Sequence, residues 1–248
     1  MARLAVLGFW LMAVLVPGVA RADPSALWHI IDGKCVPNQL AHNDPSPCVT
    51  VDIARGRANG WVLMKDINGI AQFLVMPTAR ISGIEDPAIL KPDAVNYWAP
   101  AWQARAAVEA RLKTSLKRDE ISLAINSPYG RTQDQLHIHV DCVRQDVLAA
   151  IRAHVAGVGR AWAPFPVALA GHSYRAMRVD GETMVDIDPF RLLAVRDMDQ
   201  HTLVVVGETF ADGRNGFLLL DGQVDRLAGD FGSGEALQDH ACAIAHAS

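Results

Sequence analysis

An α+β fold built on an antiparallel sheet is what the sequence predicts, and three observations predict it. Two apolar runs, "GWVLMKD" and "AQFLVMP", are separated by "INGI" with its Asn68-Gly69 turn signal, the pattern of a β-hairpin. A second pair, "TLVVVGET" and "GFLLLDG", is joined by an Asp/Gly/Asn-rich connection. Between the pairs lie stretches whose apolar residues recur at helical spacing, so strands and helices share one chain without regular βαβ alternation.

Taken in order, residues 23 to 56 are turn-rich, with a short helix expected around "SALWHIIDGKC". The first hairpin follows, its second strand ending at Pro77, and "TARISGIEDPAILKPD" reads as a loop with short helical turns. Residues 95 to 117 are rich in Ala, Leu, Glu and Arg and predict a long helix, starting at or kinked by Pro100. Next come a strand, "ISLAIN", a turn, "SPYGRTQD", a strand, "QLHIHVDCV", and a helix, "RQDVLAAIRAHVAG". From Trp162 the pattern is strand-like, with "SYRAMRV" before the second hairpin, and "GEALQDHACAIA" predicts a closing helix. A hairpin with helices in each half leaves an internal duplication open.

With 248 residues, 50% hydrophobic and 20% charged, the chain can bury a sizeable core and is not of disordered composition. The formal charge of −4, with Lys and Arg scattered, disfavours nucleic-acid backbone binding. The N-terminus has Arg3, an apolar stretch from Leu4 to Ala20, and a small-x-small site at Ala20-Arg21-Ala22. Residues 1–22 are therefore expected to be an export signal or a retained membrane anchor, with residues 23–248 as the globular domain. Roughly 17 apolar residues is the lower limit of a span, and Pro17 and Gly18 interrupt it. In an oxidising compartment four cysteines suggest disulfides of open connectivity. The expected pairs are Cys35 with Cys48 and Cys142 with Cys242.

The residues with the most chemistry lie in "GRTQDQLHIHVD", 130 to 141. On a strand, Gln135, His137, His139 and Asp141 share one face and Leu136, Ile138, Val140 and Cys142 the other, so the apolar face meets the core and the polar face a cleft. The histidines could be incidental on a half-exposed strand. They could also present two imidazoles to one metal, but no third-ligand motif accompanies them. A two-histidine phosphoesterase of the H-x-[ST] kind fails, because His172-Ser173 and His201-Thr202 have the wrong spacing.

"INSPYGRTQDQLHIHV" resembles the signature of the histidine-triad superfamily, an Asn and then Gly-Gln-[Ser/Thr] leading into His-x-His-x-His. Gly130 matches the glycine, Thr132 the Ser/Thr, His137 the middle histidine and His139 the third. Arg131 stands for the usual Gln and Gln135 for the first histidine. "FLVMPTARISGIEDP" is similar to the family's strand-Pro-loop element, with its histidine replaced near Arg80. The stretches "CVPNQ", "PSPC", "WVLMKDINGIAQFLVMPT", "AWQAR", "SLAINSPYGRTQDQLHIHVDCVR" and "GHSYRAMRV" resemble the bacterial CDP-diacylglycerol pyrophosphatases, from Cys35 to Cys242.

That resemblance implies a HIT-like α+β domain with helices packed on the sheet and a C-terminal elaboration. It also implies hydrolysis of CDP-diacylglycerol, a membrane lipid, to CMP and phosphatidate. His137 would attack the α-phosphorus to give a CMP-histidine intermediate, oriented through its other nitrogen by a backbone carbonyl, a contact that Gln135 need not abolish. His139, where the family's transferases have glutamine, makes water the expected acceptor. Arg131 and Thr132 would meet developing charge on phosphate oxygens, Asn126 would bind phosphate or shape the turn, and Gln135 would join them in binding substrate or phosphate. Asp134 and Asp141 read as solvated or loop-capping, and Trp98 and Trp102 as helix core sooner than lipid contacts. Neither a cofactor nor an obligatory metal is implied. The expected place is the periplasmic face of the inner membrane, or the periplasm after signal cleavage. Other readings are a nucleotidyl hydrolase or transferase for a soluble nucleotide conjugate, and a non-catalytic exported lipid- or nucleotide-binding module. His172 is the one other histidine singled out for test.

Overall fold

The Asn68-Gly69 turn does close a hairpin: Gly69 takes φ 64°, and Trp61–Lys65 and Phe73–Pro77 pair antiparallel through five residues each. In the computed structural model, which describes residues 23–246, nine strands form one antiparallel sheet. They are β1 (Thr50–Asp52), β2 (Trp61–Lys65), β3 (Phe73–Pro77), β4 (Ile121–Ile125), β5 (Ile138–Cys142), β6 (Ala163–Pro164), β7 (Tyr174–Asp180), β8 (His201–Thr209) and β9 (Asn215–Gln223). Their order is β1-β2-β3-β5-β4-β8-β9-β7-β6, which puts the histidine strand near the middle. The fold is thus α+β with an antiparallel sheet, as expected. The signal-or-anchor reading of residues 1–22 lies outside the described residues, among which no helix is long and apolar enough to cross a membrane.

The helices depart from expectation where local sequence is overruled. The N-terminal helix is longer than predicted: α1 (Ala26–Ile30) continues through a π turn, Ile31–Cys35, into α2 (Val36–His42). Pro37 has no N–H for the carbonyl of Gly33, and the helix widens at that place. The long helix over 95 to 117 is instead two, α3 (Trp98–Gln103) and α4 (Arg105–Leu112), broken at Ala104 and stopped where Lys113 enters the left-handed region at φ 57°. Pro100 is the third residue of α3 and does not start it; Asn96 Oδ1 accepts from the Trp98 N–H at 3.0 Å to fix the start. The helix at 145 is as predicted, α5 (Gln145–His154), and a short α6 (Pro189–Leu193) was not foreseen.

The predicted closing helix is absent, and this correction bears on the site. "GEALQDHACAIA" forms two 3₁₀ turns, Gly234–Leu237 and Ala243–His246. The segment between them is pinned to β5: the Asp239 N–H donates to the Cys142 carbonyl at 2.9 Å, and Cys242, at φ 50°, is disulfide-bonded to Cys142. Cys35 and Cys48 form the other disulfide, so both expected pairs are present.

One sheet face is wholly apolar at its centre. Phe73, Val75, Leu123, Ile138, Val140, Val205 and Leu219 pack there with Trp98 and Trp102, which are core and not surface contacts. The other face carries two apolar patches. Leu74 and Met76 lie under α1 and α2, and Val204, Val206, Leu218 and Leu220 lie under α5. Between them β4 and β5 turn Ser122, His139 and Asp141 outward, all buried. Two apolar packings thus flank a strip of buried polar groups.

Candidate active site

The alternation read from the sequence holds, although paired strand begins only at Ile138, so His137 stands just ahead of β5. His137 is 7% exposed and His139 4%, and their rings meet edge to face at 4.8 Å between centroids. His137 Nδ1 is 2.5 Å from the Gln135 carbonyl oxygen. A carbonyl can only accept, so Nδ1 carries the proton and Nε2 keeps its lone pair. Burial pushes the His137 pKa down, against the Gln135 contact and Glu235, which pull it up. The ring is therefore held neutral.

His139 is oriented by a carboxylate that sequence reading missed. Its Nδ1 lies 3.1 Å from Glu235 Oε1, and the adjacent carboxylate favours a proton on that nitrogen. Gln72 Nε2 reaches both the same Nδ1, at 3.3 Å, and Glu235 Oε1, at 3.2 Å; with Nδ1 protonated, only Glu235 can accept from it. His139 Nε2 is buried with no partner among the described residues. Burial and the neighbouring His137 and His240 hold the His139 pKa well below its ordinary value. The result is a neutral imidazole with a bare, desolvated basic nitrogen, backed by a carboxylate.

Asn126 belongs to this arrangement through Glu235. Its Nδ2 donates to Glu235 Oε2 at 2.7 Å, and its Oδ1 accepts from the Gly234 N–H at 2.8 Å. A side chain at 234 would meet Thr202 Oγ1 and Val204 Cγ2 at 3.0 Å, so glycine lets the turn press onto the sheet and deliver Glu235. Gln135 is fully buried, its Nε2 donating to the Pro77 and Ala79 carbonyls at 3.0 and 2.9 Å. It ties the loop after β3 to the histidine segment.

Other expectations need revision. Asp141 is neither solvated nor loop-capping: it is buried on β5 and accepts from His240 Nδ1 at 2.8 Å. Arg131 is not an open fork. Its two terminal nitrogens donate to Glu85 at 2.6 and 2.7 Å, and one reaches Asp134 at 3.2 Å. Burial would push the Glu85 carboxyl up, but the hydrogen bonds from Arg131 and Ser82 outweigh it and leave its pKa lowered. Thr132 is exposed. His172 is elsewhere, in a cleft of about 510 Å³ with Tyr174, Arg175 and Asp230, its Nδ1 2.8 Å from Asp230 Oδ2.

Among the described residues the ligand-type atoms that converge closely enough for a metal are those of Asp141, Cys142 and Cys242. Both sulfurs are bonded to each other, so that group does not fit a metal.

An antiparallel α+β domain with two facing imidazoles, one carboxylate-backed, defines the class by its site. The comparisons supply the particulars. Residues 22–246 match the family described as CDP-diacylglycerol pyrophosphatase. A Yersinia pestis protein of that name is 39% identical over 240 residues, covering 94% of this chain and 90% of the relative. The chain is an enzyme, a hydrolase, and belongs to the CDP-diacylglycerol pyrophosphatase family.

Proposed function

We propose that the protein hydrolyses the phosphoanhydride of CDP-diacylglycerol to CMP and phosphatidate through a nucleotidyl-histidine intermediate, in a HIT-like site. The observation that carries this reading is the short contact between His137 Nδ1 and the Gln135 carbonyl. It leaves Nε2 as the nucleophilic atom of a neutral ring, and a neutral imidazole attacks phosphorus and leaves it again readily. His137 Nε2 forms the bond to the α-phosphorus as the bond to the bridging oxygen breaks, and phosphatidate departs.

In the second half-reaction water attacks the same phosphorus. His139 Nε2 takes the proton, and Glu235 steadies the imidazolium that forms through Nδ1–H, as a carboxylate does behind a catalytic histidine. The phosphorus–nitrogen bond then breaks and its electron pair returns to His137. Asn126 acts through Glu235. Arg131, fixed by Glu85, contributes positive charge near His137, and Thr132 remains available to phosphate at the surface.

The apolar N-terminal stretch with its small-x-small site and the two disulfides support a protein exported to the periplasmic side of the inner membrane, anchored there or released. The mass of the mature N-terminus distinguishes the two forms.

The test is CMP release from CDP-diacylglycerol and from soluble CDP-conjugates, with acid-stopped samples probed for CMP bound to protein. Wild type is expected to release CMP, and His137→Ala to lose at least about 10³-fold with no bound CMP. Undiminished release from His137→Ala would remove the nucleophile. Preference for the soluble conjugate would shift the substrate class, and no release by wild type would make the protein a binding module.

A further inference from the structure

We infer that His240, held by Asp141, is a further catalytic residue of this site, giving the proton to the phosphate oxygen that leaves when the anhydride is cleaved. This rests on the reading of His137 as the nucleophile and adds the acid that the reading lacks.

The geometry carries it. His240 sits beside the polar strip, its Nδ1 2.8 Å from Asp141 Oδ2 and its Nε2 3.8 Å from Glu235 Oε1. Glu235 Oε1 is the atom that holds His139. The backbone at 240 is fixed from two sides: its carbonyl accepts from the Ile70 N–H at 2.9 Å, and Cys242 is tied to Cys142, next to Asp141. Yet the His240 side chain is 41% exposed, against 6% for His139. It is thus held in place, shares Glu235 with His139, and is open to solvent.

The chemistry of the departing group then selects it. The departing group is a phosphate oxygen that gains a full charge as the bond breaks, and a positioned acid assists such a departure. His137 and His139 are held neutral by burial. Arg131 is spent on Glu85 and Asp134. Lys65 donates to the carbonyls of Asp66, Asn68 and Gly69. His240 faces Asp141 from β5, Glu235 from the 3₁₀ turn and Asp66 from the β2–β3 loop, and these carboxylates raise its pKa, the Asp141 hydrogen bond most of all.

The step balances. As His137 Nε2 bonds to the α-phosphorus, the bridging oxygen keeps the electron pair of the broken bond and takes the proton from His240 Nε2. The imidazole, now neutral but still bonded to Asp141, regains a proton from solvent. Water's own proton goes to His139 and then to solvent.

Leaving-group dependence tests this. CDP-diacylglycerol is compared with the 2,4-dinitrophenyl ester of cytidine 5′-phosphate, whose phenolate is far less basic than a phosphate monoester oxygen and departs without a proton. His240→Ala is expected to lower kcat on CDP-diacylglycerol by about 10²–10³-fold and on the activated ester by less than about tenfold. Asp141→Asn, which leaves the ring but not its charge partner, is expected to show the same selectivity more weakly and to move the alkaline limb of the CDP-diacylglycerol profile to lower pH. Turnover of the ester by each variant reports that it is folded. Equal losses on both substrates, or no loss on either, overturn the assignment. His137→Ala losing neither substrate overturns the nucleophile instead, so the two failures are distinct.

Discussion

Gln135 stands where the histidine-triad signature that this stretch resembles has a histidine, and its surroundings explain why an amide suits the place. Two carbonyls, of Pro77 and Ala79, converge on its Nε2 at 3.0 and 2.9 Å. A primary amide has two N–H donors on one nitrogen, whereas a neutral imidazole has one. Gln135→His therefore leaves one carbonyl unpaired in a fully buried position, at a cost of about 1–3 kcal/mol. The carbonyl that orients His137 belongs to the backbone of residue 135 and survives the change. Urea unfolding of the variant is expected to show that loss while CMP release, measured where both proteins are folded, stays within about tenfold. A larger catalytic loss at unchanged stability would give the Gln135 side chain a role in substrate handling.

The C-terminal segment from 234 to 242 shows what an element owes to distant residues. Alternation in "QLHIHVDCV" and the Asn68-Gly69 turn are local signals, and both the histidine face and the hairpin were legible from them. Glu235 and His240 were not. Their stretch has the composition of an amphipathic helix, but its conformation is set by Asn126 across 109 residues and by a disulfide across 100. Gln238 adds a further tie, donating to Ser122 and to the His139 carbonyl at 3.3 Å. The break at Ala104 was equally hidden, since good helix formers flank it. If the disulfide is what holds the segment on β5, Cys142→Ser/Cys242→Ser should lower stability by about 2–4 kcal/mol and also lower CMP release more than about tenfold, because a Glu235 carboxylate out of place leaves His139 unoriented. Cys35→Ser/Cys48→Ser is the control. That bridge lies in the cluster under α1 and α2, so a similar loss of stability should leave turnover per folded molecule nearly unchanged. Loss of turnover by both pairs alike would refute the distinction.

For the molecule as a whole, stability and activity meet in how buried ionisable groups respond to pH. The polar strip lies between two apolar clusters, and that desolvation depresses both His137 and His139. A histidine whose folded pKa lies below its unfolded value binds its proton less well when folded, so its contribution is intact above about pH 6.5 and is lost as pH falls below it. Glu208 on β8 works in the opposite sense. It is 4% exposed with Oε1 unpartnered among the described residues. Burial first, and Asp119 next, push its pKa up to about 7 against Arg152 and Arg118. Its folded form holds the proton more tightly than the unfolded chain, so stability declines as pH rises from about 4.5 toward 7. Between those limits the two effects oppose each other, and the parent's stability should vary little. Glu208→Gln removes one of them. It should gain about 2–3 kcal/mol at pH 7 and then lose more stability on acidification than the parent does, with the raised pKa of His240 left to oppose the buried pair. Denaturant midpoints from pH 4.5 to 7.5 decide it, and a variant curve parallel to the parent's would mean that Glu208 is ionised in the folded protein.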